Sequence, residues 1–380
     1  MIVTKDELCT GCGVCADACP NNCITIQYDS FGFLKSNIDS EKCVNCKICT
    51  TVCPANHPNN ENEIFEAYKA RRRESSLLLE SSSGGIASLI SETVIKDGGV
   101  VAGCAFDDNL VLRHSIEDKL SELEKFKGSK YVQSYVVGIY KTLKEKLNSG
   151  KTAVFIGTPC QVSALKNYLG KDYENLYTVD LICHGVGSGK ILYKYLDKYT
   201  SSGEKIKDVK FREKKSGYRA TGKNNLRLIF EDKITELDSS LGIVLWFAAD
   251  VSLRESCYQC GFVSNKRCSD ISLADYIGED LSTEDKKYGT SMVFINTEKG
   301  KFLFEKIAEG AEVEEKAVAE SVLKYKRLNE GKKAPRIRKR FFEDLSKLTL
   351  EEMEQKYTLA AILPSKFVRH VKALMRRFRK

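Results

Sequence analysis

Residues 9–20 read CTGCGVCADACP and residues 43–54 read CVNCKICTTVCP. Both stretches follow the spacing C-x2-C-x2-C-x3-C-P, so the chain contains a repeat. Three thiolates at two-residue gaps can wrap one face of an iron–sulfur cube, and the small residues Gly11 and Gly13 permit the tight loop that this requires. The fourth cysteine of each copy lies across a short turn and points away from its own loop.

This spacing is that of bacterial two-cluster ferredoxins, in which the fourth cysteine of each copy ligates the other cube. Structural zinc is the alternative, but zinc ligands usually come as two pairs separated by a longer loop. Residues 1–58 are therefore predicted to be a small α+β ferredoxin domain with a strand over Ile24–Tyr28, and Cys23 falls outside the pattern. Crossed ligation predicts one [4Fe–4S] cluster on Cys9, Cys12, Cys15 and Cys53, and a second on Cys43, Cys46, Cys49 and Cys19.

The composition restricts the class of protein. A chain of 380 residues with 42% hydrophobic and 29% charged residues can bury a sizeable core, which excludes a mostly disordered protein. The amino end lacks the pattern of a secretory signal, and no stretch approaches the ~18 apolar residues of a transmembrane helix. We therefore expect a cytosolic protein whose fifteen cysteines bind metal or do chemistry instead of forming disulfides.

Beyond the ferredoxin repeat, apolar runs alternate with helical patterns, which indicates an α/β core. Residues 57–75 are polar and charged and predict a linker and a first helix. Residues 206–237 alternate in a β-rich pattern, so the second half of the core is predicted to be irregular and β-rich. The remaining predicted helices and strands are Ile86–Lys96, Gly99–Phe106, Leu110–Ile116, Glu117–Phe126, Val136–Leu147, Lys151–Ile156, Gln161–Leu169, Leu176–Ile182, a helix from Lys190, Leu241–Leu253 and Met292–Asn296.

One stretch is a candidate anion site. Residues 81–85 (SSSGG) run directly into the helix predicted over Ile86–Lys96, and free N–H groups at a helix amino end attract anions. An ordinary serine-capped helix is the alternative. Lys130 adds a cation that could serve a phosphate. Two glycine-rich stretches that resemble P-loops, residues 149–152 and 185–190, lack the required residues, and no G-x-G-x-x-G dinucleotide motif is present.

The remaining cysteines suggest a third metal site. Cys160 begins a helix after a buried strand and Cys183 ends the next strand, where ligands of α/β sheets bind. Cys257 and Cys260 form a C-x2-C pair, and Cys268 follows. From their spacing alone, a third cluster, a structural zinc, a redox dithiol and inert thiols all remain open.

Six short motifs in this order resemble the family of coenzyme F420 hydrogenase/dehydrogenase beta subunits, in its form with a fused ferredoxin domain. The likeness covers roughly residues 5–310 and rests on Ser83–Gly85, Gly128–Ser134, Gly157–Gln161, Asp180–Gly185, Ser256–Cys260 and Ser269–Asp275. The resemblance implies that the beta-subunit body has an N-terminal α/β domain over residues 59–175 and a C-terminal domain over 176–345, followed by a tail over 346–380.

The resemblance also implies an oxidoreductase with FAD and its own [4Fe–4S] cluster, in which the flavin exchanges hydride with a substrate and single electrons with clusters. The inner cluster would be held by Cys160, Cys183, Cys257 and Cys260, with Cys268 in reserve. His184 and Asp275 would be the catalytic residues. The implied flavin contacts are Ser83, Gly84, Gly85, Ser129, Lys130, Thr158, Gln161 and Gly185, with His184 also near the flavin.

The substrate remains open. Where the family often has Gly-Asp-x-Trp-Gly, residues 274–278 read ADYIG, so the deazaflavin coenzyme is one candidate among several small organic substrates. The alternative to an enzyme is a subunit that only relays electrons to a separate catalytic partner. In either case we expect an electron donor or acceptor protein as a partner.

The carboxyl tail differs from the body. After Pro364, apolar residues recur at helical spacing among seven basic residues, which account for nearly all of the net charge of +8. Such a helix can lie on an anionic membrane surface or pack on its own body. Nucleic acid is not expected as a partner, because no aromatic and basic platform accompanies the charge.

Overall fold

The structure is a computed structural model that describes residues 3–59, 61–200, 203–212, 214, 226–237 and 242–362. Within these ranges the strands are β1 Ile24–Tyr28, β2 Leu34–Ile38, β3 Asn62–Glu63, β4 Glu66–Arg72, β5 Val100–Phe106, β6 Leu112–Glu117, β7 Ala153–Gly157, β8 Leu176–Leu181, β9 Asp208–Lys210, β10 Leu226–Ile229, β11 Ile234–Leu237, β12 Lys266–Arg267, β13 Ile271–Asp275, β14 Ser291–Ile295 and β15 Ala311–Lys316.

The helices in the same ranges are α1 Val14–Asp17, α2 Ile48–Thr51, α3 Ser75–Leu78, α4 Ile86–Lys96, α5 Ile139–Asn148, α6 Pro159–Leu169, α7 Gly189–Thr200, α8 Gly242–Ala248, α9 Thr283–Tyr288, α10 Glu298–Ile307, α11 Val318–Lys324, α12 Lys326–Asn329, α13 Arg338–Leu345, α14 Leu350–Lys356 and α15 Leu359–Ile362. Single 3-10 segments cover Leu120–Phe126, Glu255–Cys257 and Ala308–Gly310. Among the described residues, no helix has the length and apolar content needed to cross a membrane.

The cysteine repeat folds in the same way twice. Gly11 and Gly13 both adopt left-handed backbone conformations, with φ of +65° and +79°. The residues at the equivalent positions of the second copy, Asn45 and Lys47, do the same with φ of +56° and +64°. Left-handed backbone is uncommon outside glycine, so the second loop holds this geometry against the preference of its lysine. The antiparallel hairpin β1–β2 joins the two copies.

One eight-stranded sheet forms the body, in the order β15-β4-β14-β13-β8-β7-β5-β6. The four strands β13, β8, β7 and β5 are parallel to one another, and the outer pairs are antiparallel. Alternate residues of the parallel strands face opposite sides. Val154 packs with α4 and α10 on one face, and the next residue, Phe155, packs with α5 and α6 on the other. The sheet is therefore covered on both faces, as parallel strands require.

The polar segment predicted as a linker and first helix is instead strand β4. It pairs with β14 on one side and β15 on the other, which makes it an interior strand of the sheet. The prediction failed because the basic side chains of this segment pair with acidic residues from distant parts of the chain instead of facing water. Arg71 lies 2.6 Å from Glu284 and 2.5 Å from Glu312, and Lys69 lies 2.8 Å from Asp285.

Most of the other predicted elements are present, with two departures. Leu120–Phe126 is 3-10 rather than α-helical, and three strands of the second half, β13, β14 and β15, join the main sheet, so that half is less irregular than predicted. The division predicted at residue 175 stays a prediction, but strands from both sides of it pair directly, since β7 is next to β8. The predicted tail helix lies beyond residue 362, outside the described residues.

Candidate functional site

The first predicted cluster site is a set of buried thiols. The side chains of Cys9, Cys12, Cys15 and Cys53 interact with one another. Burial, with a smaller contribution from the neighbouring cysteines, including Cys49 of the second site, raises the pKa of Cys15 to about 12. A buried thiol that resists ionisation gives up its proton readily only to a metal, which replaces the proton's charge.

The second predicted site lies nearer the surface. A cavity of about 310 Å³ is lined by the four predicted ligands Cys19, Cys43, Cys46 and Cys49. Cys46 is exposed and Cys49 is buried, so this cavity opens to solvent on one side. Cys23 also lines it, with its Sγ 3.3 Å from that of Cys19. In the part of the chain described, no three His, Cys, Asp or Glu side chains are grouped closely enough to hold a single metal ion.

The four cysteines assigned to an inner cluster meet in one cavity of about 1040 Å³, which Cys160, Cys183, Cys257 and Cys260 all line. Three different parts of the fold bring them there: the first turn of α6, the end of β8, and the 3-10 segment Glu255–Cys257 with the loop that follows it. Burial, with a smaller contribution from the nearby thiol of Cys12, raises the pKa of Cys160 to about 12. The inner site and the first ferredoxin site are therefore neighbours.

Cys268, the reserve ligand, does not line this cavity. Its side chain is 1% exposed, and its thiol donates to the carbonyl oxygen of Pro159 at 3.3 Å. The Asp180 carboxylate lies 3.7 Å from the same sulfur, and that carboxylate forms a buried ion pair with Arg267 at 2.8 Å. Cys268 is placed as a core thiol beside an ion pair.

A larger cavity, about 2140 Å³, lies at the carboxyl ends of β5, β7, β8 and β13, where ligands of parallel sheets bind. Of the ten residues predicted to bind the cofactor or catalyse, nine line it: Ser83, Gly85, Ser129, Lys130, Thr158, Gln161, His184, Gly185 and Asp275.

Gly84 is the exception. Its N–H donates to Ser291 Oγ at 3.0 Å, and a Cβ at this position would lie 2.5 Å from the carbonyl oxygen of Ala70. Gly84 therefore lets the loop pack against β4 and β14. Gly85, at the cap of α4 with φ of +73°, is the residue that turns the loop so that the amino end of this helix faces the cavity.

Lys130 lines the cavity but does not offer its charge to it. Its Nζ donates to four backbone carbonyls, those of Cys104, Lys125, Phe126 and Lys127, at 3.0–3.1 Å. Burial lowers the pKa of this lysine. The predicted phosphate cation thus holds together the wall of the cavity, and any ligand contact would come from its carbon chain.

Family models match both parts of the chain. Residues 8–57 match the 4Fe-4S dicluster domain, and residues 150–321 match the model for the C-terminal part of the beta subunit of coenzyme F420 hydrogenase/dehydrogenase. The chain is similar to this beta-subunit family over residues 150–321. The resemblance inferred from the six motifs is confirmed by these matches, as is the dicluster module at the amino end.

A search of solved structures found similarity to the F420-reducing [NiFe] hydrogenase complex from Methanosarcina barkeri, in a structure determined for xenon derivatization. The two chains are 19% identical, with a TM-score of 0.45, over 78% of this chain and 92% of the other. No curated protein matched the sequence.

The dicluster domain and the beta-subunit body share the inner cavity. Leu8, Thr10, Pro54 and Ala55 of the dicluster domain line it together with the four cysteines of the body. Gln133 connects the dicluster domain with the large cavity. Its Nε2 donates to the carbonyl of Thr10 at 2.7 Å, and the residue lines the large cavity. Tyr140 of the body also holds the first cysteine loop, because its hydroxyl donates to the Cys12 carbonyl at 3.0 Å.

The inner and large cavities of this beta-subunit body have a common wall. Five residues line both: Thr158, Ile182, Cys183, Gly185 and Val186. Gln161 stiffens the wall, because its Oε1 accepts hydrogen bonds from the backbone N–H and the hydroxyl of Thr158 at 3.0 and 3.1 Å. Its amide nitrogen donates to Ser134 at 2.9 Å. The helix start that presents Cys160 to one cavity therefore presents Gln161 to the other.

His184 has charged partners that sequence reasoning missed. Its Nε2 lies 2.8 Å from Asp250 Oδ1, and the ammonium of Lys332 contacts both groups. Burial would raise the pKa of Asp250, but hydrogen bonds from His184 and Lys332 outweigh it and lower that pKa. Burial lowers the pKa of Lys332. No sequence signal joins these residues, since they lie on separate elements.

Asp275, the other predicted catalytic residue, is held by an arginine. Arg212 forms an ion pair with its carboxylate at 3.0 Å, and both residues line the large cavity. The Tyr325 hydroxyl donates to the Asp275 carbonyl at 2.6 Å. His184 and Asp275 thus reach the same cavity from different strand ends, each with an opposite charge beside it.

Proposed function

We propose that this chain is an iron–sulfur flavoprotein oxidoreductase that moves electrons between [4Fe–4S] clusters and FAD, with hydride exchange at the flavin to a small organic substrate. The observation that carries the proposal is the common wall: the cavity surrounded by four cysteines and the large cavity share five residues, one of which is the cysteine Cys183 itself. A cluster and a flavin held there would be separated by this wall alone.

The residues present fit a dinucleotide flavin. The large cavity is lined by most of the predicted flavin contacts, and the start of α4 at Gly85 with the hydroxyls of residues 81–83 suits a phosphate. FAD, when bound, supplies the conversion between two-electron and one-electron chemistry. Ser83, Gly85, Ser129, Thr158, Gln161 and Gly185 would hold it.

The chain's own groups supply proton handling and charge. His184 lines the cavity and can hold or pass a proton at its ring nitrogens, while Asp250 orients the imidazole. Asp275 and Arg212 present a fixed pair of opposite charges that could orient a polar substrate. The deazaflavin coenzyme named in the family description is one candidate substrate; the change at residues 274–278 leaves other organic acceptors open.

The test is anaerobic purification with iron, acid-labile sulfide and flavin measured on the same sample. Three cubanes require ~12 iron atoms per chain and two require ~8. We expect ~12 iron atoms and one FAD. Protein that holds ~8 iron atoms and no flavin after reconstitution would overturn the proposal.

A second measurement separates an enzyme from an electron relay. The dithionite-reduced protein is mixed with candidate organic acceptors, the deazaflavin coenzyme among them, in a single turnover. Conversion by the isolated chain supports an enzyme. If reoxidation occurs only after another protein is added, the chain is a relay subunit, and an electron-carrying protein is its partner. We place the protein in the cytosol, where low-potential carriers of this kind are found.

A further inference from the structure

Arg254 is a buried arginine at the junction of the dicluster domain and the body. It is 2% exposed, and its guanidinium donates to three acceptors. Nε donates to the carbonyl of Cys9 at 2.8 Å, Nη1 donates to Gln133 Oε1 at 2.7 Å, and Nη2 donates to the carbonyl of Leu34. All three acceptors are neutral.

No carboxylate lies within ion-pair distance of this guanidinium among the residues that the structure describes. Two nearby arginines are compensated, since Arg267 pairs with Asp180 and Arg338 pairs with Glu255. A buried charge without a counter-charge is strongly unfavourable. A negative charge other than a carboxylate must therefore lie close to Arg254.

Arg254 lies between two groups of cysteines, those of the inner cavity and those of the first ferredoxin site. It lines the inner cavity together with Cys257 and Cys260. On its other side it holds the backbone of Cys9, a ligand of the first ferredoxin site. The loop closes tightly there, because a Cβ on Gly11 would lie 2.7 Å from Arg254 Nη2. A cubane with four thiolates carries net negative charge, so filling either site supplies the missing counter-charge.

We propose that Arg254 tunes the redox properties of two clusters at once: its uncompensated positive charge raises the reduction potentials of the first ferredoxin cluster and the inner cluster above that of the second ferredoxin cluster. The inference rests on the proposed function for the inner cluster alone. Each transfer moves one electron, oxidising one cluster and reducing the next, with no bond made or broken, and a low-potential one-electron donor supplies it. Electrons that enter at the exposed Cys46 side would then be drawn inward.

The test is a potentiometric titration of the full-length, cluster-loaded protein, followed by EPR. Net charge near a cluster is one of the factors that sets its potential. For Arg254→Gln we expect the first and inner clusters to titrate at lower potential, with the second cluster unmoved. A tenfold change in the electron distribution corresponds to ~59 mV for one-electron couples, and we expect at least that. Arg254→Lys, which keeps the charge, should restore most of the shift.

Two matched variants give specificity. The double variant Arg338→Gln/Glu255→Gln removes a neighbouring ion pair without changing the net charge, and should leave all three potentials unchanged. Arg327→Gln removes an arginine that lines the inner cavity and donates to the Cys183 carbonyl, and should lower the inner cluster alone. Potentials that do not move in Arg254→Gln at full iron content would overturn the proposal.

The wild-type titration gives an independent check should Arg254→Gln fail to load clusters. Cys46→Ser alters the spectrum of the second cluster and so identifies its signal. We expect that signal to have the lowest potential of the set, and a second cluster that is reduced before the first would overturn the proposal. A count of ~8 iron atoms in wild type would reject the inner cluster of the proposed function while leaving the effect on the first cluster measurable.

Discussion

Replacing His114 with phenylalanine should make the protein less sensitive to mild acid. His114 is a buried residue of β6 in the wall of the large cavity, and its ring stacks on Phe155 with centroids 5.3 Å apart. Its Nε2 donates to the carbonyl of Ile156 at 3.2 Å, which fixes the neutral tautomer. A second proton would have to enter at Nδ1, which is buried and has no hydrogen-bond partner among the described residues.

Burial lowers the pKa of His114 to about 4; the Ile156 contact opposes the shift and the ammonium of Lys130 adds to it. In the unfolded chain the ordinary value is about 6.5. The folded pKa is the lower one, so between pH 6.5 and 4 the unfolded chain binds a proton that the folded chain does not. Stability therefore falls as the pH decreases through this window. From pH 7.5 to 5.5 the loss attributable to His114 is about 1.3 kcal/mol.

The assay is anaerobic denaturant unfolding of wild type and His114→Phe at both pH values. Phenylalanine keeps the stacking and cannot titrate, while the lost hydrogen bond to Ile156 costs the same at either pH. The difference between the two proteins should therefore change by about 1.3 kcal/mol in favour of the variant at pH 5.5. If the two proteins lose equal stability between pH 7.5 and 5.5, the inference that His114 is a neutral imidazole in the folded protein is wrong.

Three further predictions concern the ligands of the inner cluster, the buried ion pair beside Cys268, and His184 in the large cavity. Cys160→Ser should lower the iron content from ~12 to ~8 atoms per chain, whereas Cys268→Ser should keep ~12, and equal iron in both would reject the assigned ligand set. Asp180→Asn leaves a buried guanidinium without its counter-charge and should lower the free energy of unfolding by about 3–5 kcal/mol, seen as a lower denaturation midpoint; a change under about 1 kcal/mol would contradict this. His184→Gln should slow single-turnover substrate conversion by about 10²–10⁴-fold without loss of flavin or iron, and Asp250→Asn should do so less, with an altered pH profile; unchanged rates in both would remove His184 from proton handling.

The parts of the protein that the sequence predicted well are those in which short-range spacing decides the geometry. The cysteine copies have fixed gaps, so the conformation of their loops follows from the covalent chain. Helix α4 was predicted with its bounds, because its glycine turn and apolar period occur within one stretch. The cysteines at 160, 183, 257 and 260 were grouped through motif order, and the structure does bring them to one cavity.

The parts that failed depend on partners far away in sequence. Strand β4 looks like a solvated segment until Lys69 and Arg71 meet acidic residues more than two hundred positions away. Lys130 looks like a free cation until four carbonyls surround it. Asp250 carries no motif at all. Charge in a sequence does not say whether it faces water, a ligand or a counter-charge, and only the fold decides among them.

The contacts between the dicluster domain and the body explain why the two are joined in one chain. Tyr140, Gln133 and Arg254 all hold backbone carbonyls of the first cysteine loop. Arg254 also lines the inner cavity and Gln133 the large one, so both cavities are tied to the position of this loop. Electron transfer falls steeply with distance, and a separate carrier would have to find this geometry at each encounter. A fused domain held by buried hydrogen bonds has it permanently. The contact left to diffusion is then at the exposed edge around Cys46, where an outside donor would dock.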